Sequence, residues 1–210
     1  MKGVLAILGG GNLGQQIAHF AITDKHYDKV IFFDDFTHES SILGHNIIGG
    51  TNAIEESYEK GLFNELLIGI GYKHLQKREE LYDVFLDKVP FGNIIHSSCW
   101  IDSTAQIGQG TILYPNVCVD ANTVIDANTV VNISSSIAHD TYIGKHCFLS
   151  PNVAIAGFVK VGAKSILGIN STIIDNIEII SETQLGGGTV VIESLNEKGL
   201  YVGNPARFIR

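Results

Sequence analysis

The first ninety residues alternate short apolar runs with stretches of helical periodicity. We predict strands at Val4–Leu8, Val30–Asp35 and Glu65–Gly71, because each is an apolar run bounded by glycine or polar residues. The segments Gly14–Asp24 and Lys73–Lys88 show a helical period. This strand–helix alternation predicts an α/β domain whose parallel sheet is covered by helices.

From Ile95 onward the apolar residues follow a period of six without a break. Seventeen consecutive sixth positions are aliphatic: Ile95, Ile101, Ile107, Leu113, Val119, Ile125, Val131, Ile137, Ile143, Leu149, Ile155, Val161, Leu167, Ile173, Ile179, Leu185 and Val191. The position four residues after an aliphatic is mostly small or β-branched: Ala105, Thr111, Val117, Thr123, Thr129, Ser135 and Thr141. A hexapeptide period predicts a β-solenoid of triangular, eighteen-residue coils with both positions facing inward.

We therefore divide the chain into an α/β domain at residues 1–92, a parallel β-helix at residues 93–192 and a C-terminal tail at residues 193–210. Gly203 and Pro205 lie in the tail, where we expect them to break regular strand pairing. The period alone leaves the handedness of the helix open.

A glycine-rich turn follows the first predicted strand. Gly9–Gly14 reads GGGNLG and satisfies G-x-G-x-x-G, and Asp34 lies 20 residues beyond Gly14. This arrangement is typical of NAD sites, but ninety residues supply about half of a dinucleotide fold. We therefore favour a nucleoside diphosphate sugar, with Gly10–Gly14 at the pyrophosphate and Asp34 and Asp35 near the base or ribose. A tight strand–helix turn that binds nothing is the alternative.

One histidine of the solenoid has neighbours suited to chemistry. His139 lies two residues after inward Ile137, at an outward corner, and Asp140 follows it. Adding eighteen residues gives Gly157, so the coil above offers a corner without a side chain, about 4.8 Å away. An acid beside an imidazole favours a general base, and a glycine exposes an N–H for an oxyanion. We interpret His96 and His146 as ordinary solvated corners.

Several stretches together resemble one enzyme family, the sugar-nucleotide acetyltransferases with a left-handed β-helix. The stretches are SSSIAHDTYIG, IAGFVKVG, LGINS, LGGG and the closing YVGNPAR. The nearest types are the UDP-4-amino-sugar N-acetyltransferase of bacillosamine synthesis and the sialic acid O-acetyltransferases. The resemblance implies a left-handed β-helix, a nucleotide sugar held by the first domain, acetyl-CoA as cosubstrate and a homotrimer. Separately, the three cysteines without paired spacing predict a cytoplasmic protein.

The resemblance also implies roles for individual residues. His139 matches the family's general base, Asp140 its acidic partner, Gly157 its oxyanion glycine and Asn132 a substrate-side asparagine. Acetyl-CoA is expected along the coil edge near Gly157, Ile169 and Gly187. The nucleotide sugar is expected to meet Gly9, Gly10, Gly11, Asn12, Gly14, Asp34, Asp35 and Gly71.

The chain departs from the family in two places. The family's Gly-His-Gly turn is replaced here by Asn12-Leu13-Gly14-Gln15, which bears on the nucleotide contacts. Phe148 stands where the family often has a second histidine, which bears on substrate or CoA contacts.

Composition narrows the remaining alternatives. The net charge of -8 argues against non-specific nucleic-acid binding, and no apolar run reaches the length of a membrane span. We interpret VLAILGGG as a buried strand rather than a signal peptide, and the three cysteines as reduced thiols. No metal is expected, because a zinc hydratase needs three convergent histidines, and His96 and His139 do not stack.

The predicted function is therefore an acetyl-CoA-dependent N-acetyltransferase acting on the amine of a nucleotide-linked sugar. Three alternatives remain: O-acetylation of a sugar hydroxyl, an NAD-linked oxidoreductase and a non-catalytic structural solenoid.

Overall fold

A computed structural model describes residues 3–210 of the chain. Its internal contacts separate two compact units, one ending at Ile94 and the other running from Ile95 to Arg210. Within residues 3–210, no helix combines the length and the apolar character needed to cross a membrane.

The first unit is a five-stranded sheet with helices. Its elements in chain order are β1 Val4–Leu8, α1 Asn12–Thr23, β2 Lys29–Phe33, β3 Ser41–Ile42, β4 His45–Gly49, a 3₁₀ turn at Thr51–Ala53, α2 Ile54–Glu59, β5 Glu65–Ile68, a 3₁₀ turn at Tyr72–His74 and α3 Leu75–Phe85. The strand order is β3-β4-β2-β1-β5. All neighbours pair in parallel except β3 and β4, which form an antiparallel pair.

Burial explains why these segments take these forms. β1 lies between β2 and β5 and is apolar, and its residues from Leu5 to Leu8 are buried, as expected for a parallel strand covered on both faces. The helix α1 buries Ile17, Ala18 and Ala21, which share one face. Gly14 lets this helix approach the sheet closely, because a Cβ there would lie 2.0 Å from the Gly9 carbonyl oxygen.

The predicted elements of this unit are recovered with shifted ends. β1 matches its predicted bounds, whereas α1 begins at Asn12 rather than at Gly14. The predicted helix at Lys73–Lys88 starts as a 3₁₀ turn and becomes α-helical only from Leu75. The short β3–β4 pair has no clear alternation in the sequence, so pattern alone did not resolve it.

The second unit is a parallel β-helix with three flat faces. The first face contains Trp100–Ile101, Cys118–Val119, Ser136–Ile137, Ala154–Ile155, Thr172–Ile173 and Val190–Val191. The second face contains Gln106–Ile107, Val124–Ile125, Tyr142–Ile143, Lys160–Val161 and Glu178–Ile179. The third face contains Ile94–Ile95, Ile112–Leu113, Val130–Val131, Phe148–Leu149, Ile166–Leu167, Thr183–Leu185, Gly199–Val202 and Arg207–Phe208.

The eighteen-residue coil predicted from the period is confirmed by the strand register. Val119 pairs with Ile137, which pairs in turn with Ile155, so each aliphatic stacks on the one eighteen positions away. From Leu113 to Val191 these aliphatics are at most 3% exposed. The small residues four positions later, including Thr123, Thr129 and Ser135, are buried beside them. The predicted fold class, an α/β domain followed by a left-handed β-helix, is confirmed.

The corners of the coil are built from residues with left-handed backbone. In the column that passes beside His139, the φ angles are 57° at Asn122, 56° at Asp140, 59° at Phe158 and 58° at Asn176. Asparagine and aspartate tolerate this region better than other non-glycine residues, which explains their frequency at these positions.

The C-terminal tail contains two paired strands, and Gly203 and Pro205 break the pairing between them as predicted. Gly199–Val202 pairs in parallel with Thr183–Leu185, and Arg207–Phe208 returns antiparallel to it. Gly203 and Pro205 interrupt pairing only locally, since they lie in the turn that joins these two strands. The tail therefore caps the third face of the β-helix.

Candidate functional site

His139 lies at a corner of the β-helix with its imidazole partly open to solvent. The side chain is 47% exposed, and Nδ1 lies 2.9 Å from Asp140 Oδ2. Because an ionised carboxylate only accepts hydrogen bonds, we assign the ring proton to Nδ1. This assignment leaves Nε2 with its lone pair, as a general base requires.

Asp140 is held in place from two further sides. Its backbone N–H donates to the Ala121 carbonyl at 2.9 Å, and Asn122 Nδ2 donates to Oδ1 at 3.2 Å. The hydrogen bond from His139, with that from Asn122, lowers the pKa of Asp140 below its usual range. Asp140 is therefore ionised at neutral pH and remains an acceptor for the imidazole.

Gly157 lies directly against the imidazole, as the eighteen-residue count predicts. A Cβ built on Gly157 would lie 2.8 Å from His139 Cε1 and 2.9 Å from Nε2. Any side chain at this position would collide with the ring, so the absence of a side chain at Gly157 is what allows the imidazole to lie here. The structure thus brings His139, Asp140 and Gly157 together.

The other β-helix residues that the sequence singled out for substrate or CoA contacts are not all equally available to a ligand. Asn132 Nδ2 donates to the Leu149 carbonyl at 2.8 Å, so part of its amide is committed to the coil. Ile169 is exposed, and a Cβ on Gly187 would lie 3.1 Å from Ile169 Cγ2. Ile169 and Gly187 are thus neighbours on successive coils. Phe148 is half-buried on the third face, between Val130 and Ile166.

The interpretation of His146 as a solvated corner is wrong. The residue is only 5% exposed, and its Nδ1 lies 2.9 Å from Asn128 Nδ2. Since an amide nitrogen only donates, His146 Nδ1 accepts this hydrogen bond. The hexapeptide frame places both His139 and His146 near corners, but it does not say which corner side chains fold back against the coil.

The α/β unit contains a cavity of about 770 Å³ at the carboxyl ends of β1, β2 and β5. Six of the residues predicted to meet a nucleotide sugar line it: Gly9, Gly11, Asn12, Asp34, Asp35 and Gly71. Gly10 and Gly14 do not line it. Gly10 lies against Ile42 and Gly14 against Gly9, so both serve packing.

The two predicted acids of this cavity hold its loops. Asp34 accepts hydrogen bonds from the backbone N–H groups of Gly10 at 2.7 Å, Phe36 at 2.8 Å and Thr37 at 3.1 Å. Partial burial acts to raise the pKa of Asp34, but these three donors outweigh it and lower the pKa below its ordinary value. Asp35 accepts from both the N–H and the hydroxyl of Thr51.

The same cavity is lined by residues that motif reasoning missed. Phe36 is 92% exposed, and Tyr72 is also exposed, so two aromatic rings are available to a base. Lys73, His74 and Lys77 line the cavity, and the two lysines bring positive charge. The signal for them was the run GYKHLQK directly after a predicted strand, where a ligand of an open parallel sheet is expected.

A buried arginine supports the loop between β5 and the following helix. Arg78 is 1% exposed, and its Nη1 donates to the carbonyls of Ile68 and Ile70. These contacts hold the segment Gly69–Gly71, which lines the cavity.

Among residues 3–210, no cluster of three or more His, Cys, Asp or Glu is arranged to hold a metal ion.

Comparison with known proteins finds one domain family and several solved structures that resemble the chain. Residues 4–85 match the model of the PglD N-terminal domain. Three solved structures resemble the chain over 98% of its length. They are the acetyltransferase domain of PglB from Neisseria gonorrhoeae in complex with acetyl coenzyme A (22% identity, TM-score 0.90, 98% of that chain), PerB from Caulobacter crescentus in complex with CoA and GDP-perosamine (26%, 0.89, 96%) and WeeI from Acinetobacter baumannii (21%, 0.84, 99%).

The matches to PglB and WeeI establish the fold. The match of residues 4–85 to the PglD N-terminal domain and the higher identity to PerB extend the similarity from the fold to the sequence. The resemblance stated from the sequence motifs is confirmed.

Proposed function

We propose that this chain, which belongs with the sugar-nucleotide acetyltransferases of the left-handed β-helix type, transfers an acetyl group from acetyl-CoA to a nucleotide-linked amino sugar. The acceptor is the amine of a UDP-4-amino-4,6-dideoxy sugar. The PglD-type N-terminal domain and the similarity to PerB, a structure holding CoA and GDP-perosamine, support acyl transfer. The observation that carries the proposal is the contact of His139 with Asp140 and Gly157.

The proposed mechanism begins at His139 Nε2. This atom takes a proton from the sugar amine as the amine nitrogen attacks the thioester carbonyl carbon. A C–N bond forms and the C–S bond then breaks. The proton returns from the imidazolium to the departing sulfur, so CoA leaves as the thiol.

Two groups assist His139 in this proposal. Asp140 keeps Nδ1 as the donor and offsets the charge of the imidazolium. The N–H of Gly157 donates to the oxyanion of the tetrahedral intermediate. A general base typically contributes about 10²–10⁴-fold and an oxyanion donor about 10²–10³-fold.

We assign the nucleotide to the cavity of the α/β unit. The N-terminus of α1 begins at Asn12 after Gly11 and presents backbone N–H groups, which suit a phosphate. Lys73 and Lys77 add positive charge for the diphosphate. Phe36 offers an exposed ring for the base, and Gly9, Asp34, Asp35 and Gly71 shape the walls.

We assign acetyl-CoA to the edge of the coil that carries Ile169 and Gly187, because an exposed apolar side chain beside a glycine suits a flexible thioester arm. Asn132 is proposed on the sugar side. The proposed assembly is a homotrimer, which is consistent with exposed apolar residues on the β-helix such as Ile133 and Ile180. Sedimentation at three times 22.8 kDa would support it, and a monomer mass would contradict it.

The test is a panel of acceptors with acetyl-CoA, followed by release of the free thiol and by mass spectrometry of the product. UDP-, dTDP- and GDP-linked 4-amino sugars are compared with the corresponding 4-hydroxy sugars and with sialic acid. We expect turnover with an amino sugar and an N-acetyl product. Acetylation of a hydroxyl alone would replace this proposal with O-acetylation. No turnover together with tight NADH binding would favour an oxidoreductase.

A further inference from the structure

One corner beside His139 holds an unusual residue for its backbone conformation. Phe158 has φ of 59°, and the equivalent corners one coil below and one coil above are Asp140 and Asn176. Asparagine and aspartate adopt left-handed backbone readily, whereas a bulky aromatic residue rarely does. An unfavourable backbone conformation is retained when the side chain has a use, and such residues concentrate at functional sites.

Packing of the core does not explain this phenylalanine. Phe158 is 52% exposed, so most of the benefit of burying an aromatic ring is absent. Its ring instead stands perpendicular to the imidazole of His139, with centroids 5.1 Å apart and planes at 87°. This edge-to-face arrangement is favourable between aromatic rings.

The imidazole is thereby restrained from three directions. Asp140 holds Nδ1, the ring fills the space that a side chain at Gly157 would occupy, and Phe158 closes a further side. The backbone N–H of Phe158 also donates to the His139 carbonyl at 3.2 Å, which ties the two residues together. With the ring clamped in this way, Nε2 has one direction in which to accept a proton.

We propose that Phe158 is a positioning residue that orients the imidazole of His139 for proton transfer, and that its left-handed backbone is kept for that purpose. This inference rests on the proposed function, because it assigns His139 the role of base. Loss of the ring lets the imidazole rotate, and small misplacements of a catalytic group cost large factors in rate. A rotated imidazole lowers kcat, while substrate binding, which relies on other residues, stays the same.

The test compares Phe158→Asn with Phe158→Tyr. We expect Phe158→Asn to lower kcat about 10–10²-fold with both KM values nearly unchanged. It should also raise the melting temperature, since asparagine suits this backbone. Phe158→Tyr retains an aromatic ring and should keep most of the activity. A merely structural role predicts the opposite for Phe158→Asn: lower stability with unchanged kcat.

Lys164→Asn is the matched control, because Lys164 also has left-handed φ, 57°, and lies at a different corner of the coil. It should keep the wild-type kcat, and its gain in stability should be smaller than that of Phe158→Asn, because the substitution also removes the ion pair between Lys164 and Glu182. If Phe158→Asn leaves kcat unchanged, or if Phe158→Tyr is as impaired as Phe158→Asn, the proposal is overturned.

A second readout separates this inference from the proposed function. Nitrogen NMR of the histidine side chains reports the tautomer of His139 without any substrate. In the wild type we expect the Nδ1–H form, and in Phe158→Asn a mixture of tautomers. If no acceptor is acetylated but the tautomer shifts, the proposed function fails and the orienting contact stands. An unchanged tautomer would overturn the positioning role, whatever the activity.

Discussion

The two units of the chain use their polar residues in opposite ways. In the α/β unit, the carboxylates of Asp34 and Asp35 accept hydrogen bonds from the backbone of neighbouring loops. The buried Arg78 donates to a backbone carbonyl of another loop. In the β-helix, His139 and Asp140 stand at a corner, hydrogen-bonded to each other and partly open to solvent.

This difference follows from how each fold makes a site. A coil of eighteen residues stacks position on position, so the backbone is already satisfied by the neighbouring coils and corner side chains are free for chemistry. An open α/β sheet makes its site from loops, and those loops need side chains to hold them. The α/β cavity therefore offers backbone N–H groups and lysines, whereas the corner of the β-helix offers an acid–base pair.

The largest effect that tests this contrast is at His139. We expect His139→Asn to lower kcat about 10²–10⁴-fold, the usual contribution of a general base. Its melting temperature should stay near that of the wild type, because the side chain is exposed. Turnover by the variant at close to the wild-type rate would rule out His139 as the base.

The matched substitution is His146→Asn, seven residues further along. Here we expect unchanged kcat and a loss of about 1–3 kcal/mol in the free energy of unfolding, because His146 is buried and accepts a hydrogen bond from Asn128. Urea unfolding measures the loss, and steady-state kinetics supply the comparison. Asparagine retains the left-handed backbone of this position, so the loss reports the side chain. If His146→Asn lowers kcat without changing stability, the assignment of a catalytic role to His139 and a structural role to His146 is contradicted.

In the α/β unit, the corresponding experiment is Asp34→Asn. The amide cannot accept hydrogen bonds at both of its ends, so at least one of the donors Gly10, Phe36 and Thr37 loses its partner. We expect a loss of about 1 kcal/mol in stability and a higher KM for the nucleotide sugar, with kcat at saturation preserved. A fall in kcat with unchanged KM would place Asp34 in the chemical step instead.

The stability difference between the wild type and Asp34→Asn depends on pH in a definite direction. Because the pKa of Asp34 in the folded protein is below its ordinary value of 3.8, the contribution of the carboxylate to stability is present above that value. It is lost as the pH falls through the lower, folded pKa. The stability gap between wild type and Asp34→Asn should therefore be constant near neutral pH and close in acid. A gap that grows on acidification would contradict the hydrogen-bonding account.

The sequence predicted the site on the β-helix better than the cavity of the α/β unit, because only the β-helix stacks its positions at a fixed sequence interval. Counting by eighteen identified Gly157 on the coil above His139, because the repeat converts sequence separation into distance. No such count exists for the cavity, so G-x-G-x-x-G did not distinguish Gly11, which lines it, from Gly10, which packs against Ile42. The count also fails for the direction of a corner side chain, which is why His146 and Phe158 needed the structure.

The smallest expected effect concerns two cysteines of the β-helix and needs no substrate. Cys147 is buried in the core, and burial raises the pKa of its thiol to about 12, whereas Cys118 is exposed. Since the thiolate is the reactive form, a maleimide at neutral pH should modify Cys118 rapidly and leave Cys147 untouched until the protein unfolds. Mass spectrometry of labelled peptides reads both sites in one sample. Labelling should leave kcat unchanged, because neither cysteine belongs to the proposed site. Rapid modification of Cys147 in the native protein would mean that its coil opens, contrary to a core that is continuous from Leu113 to Val191.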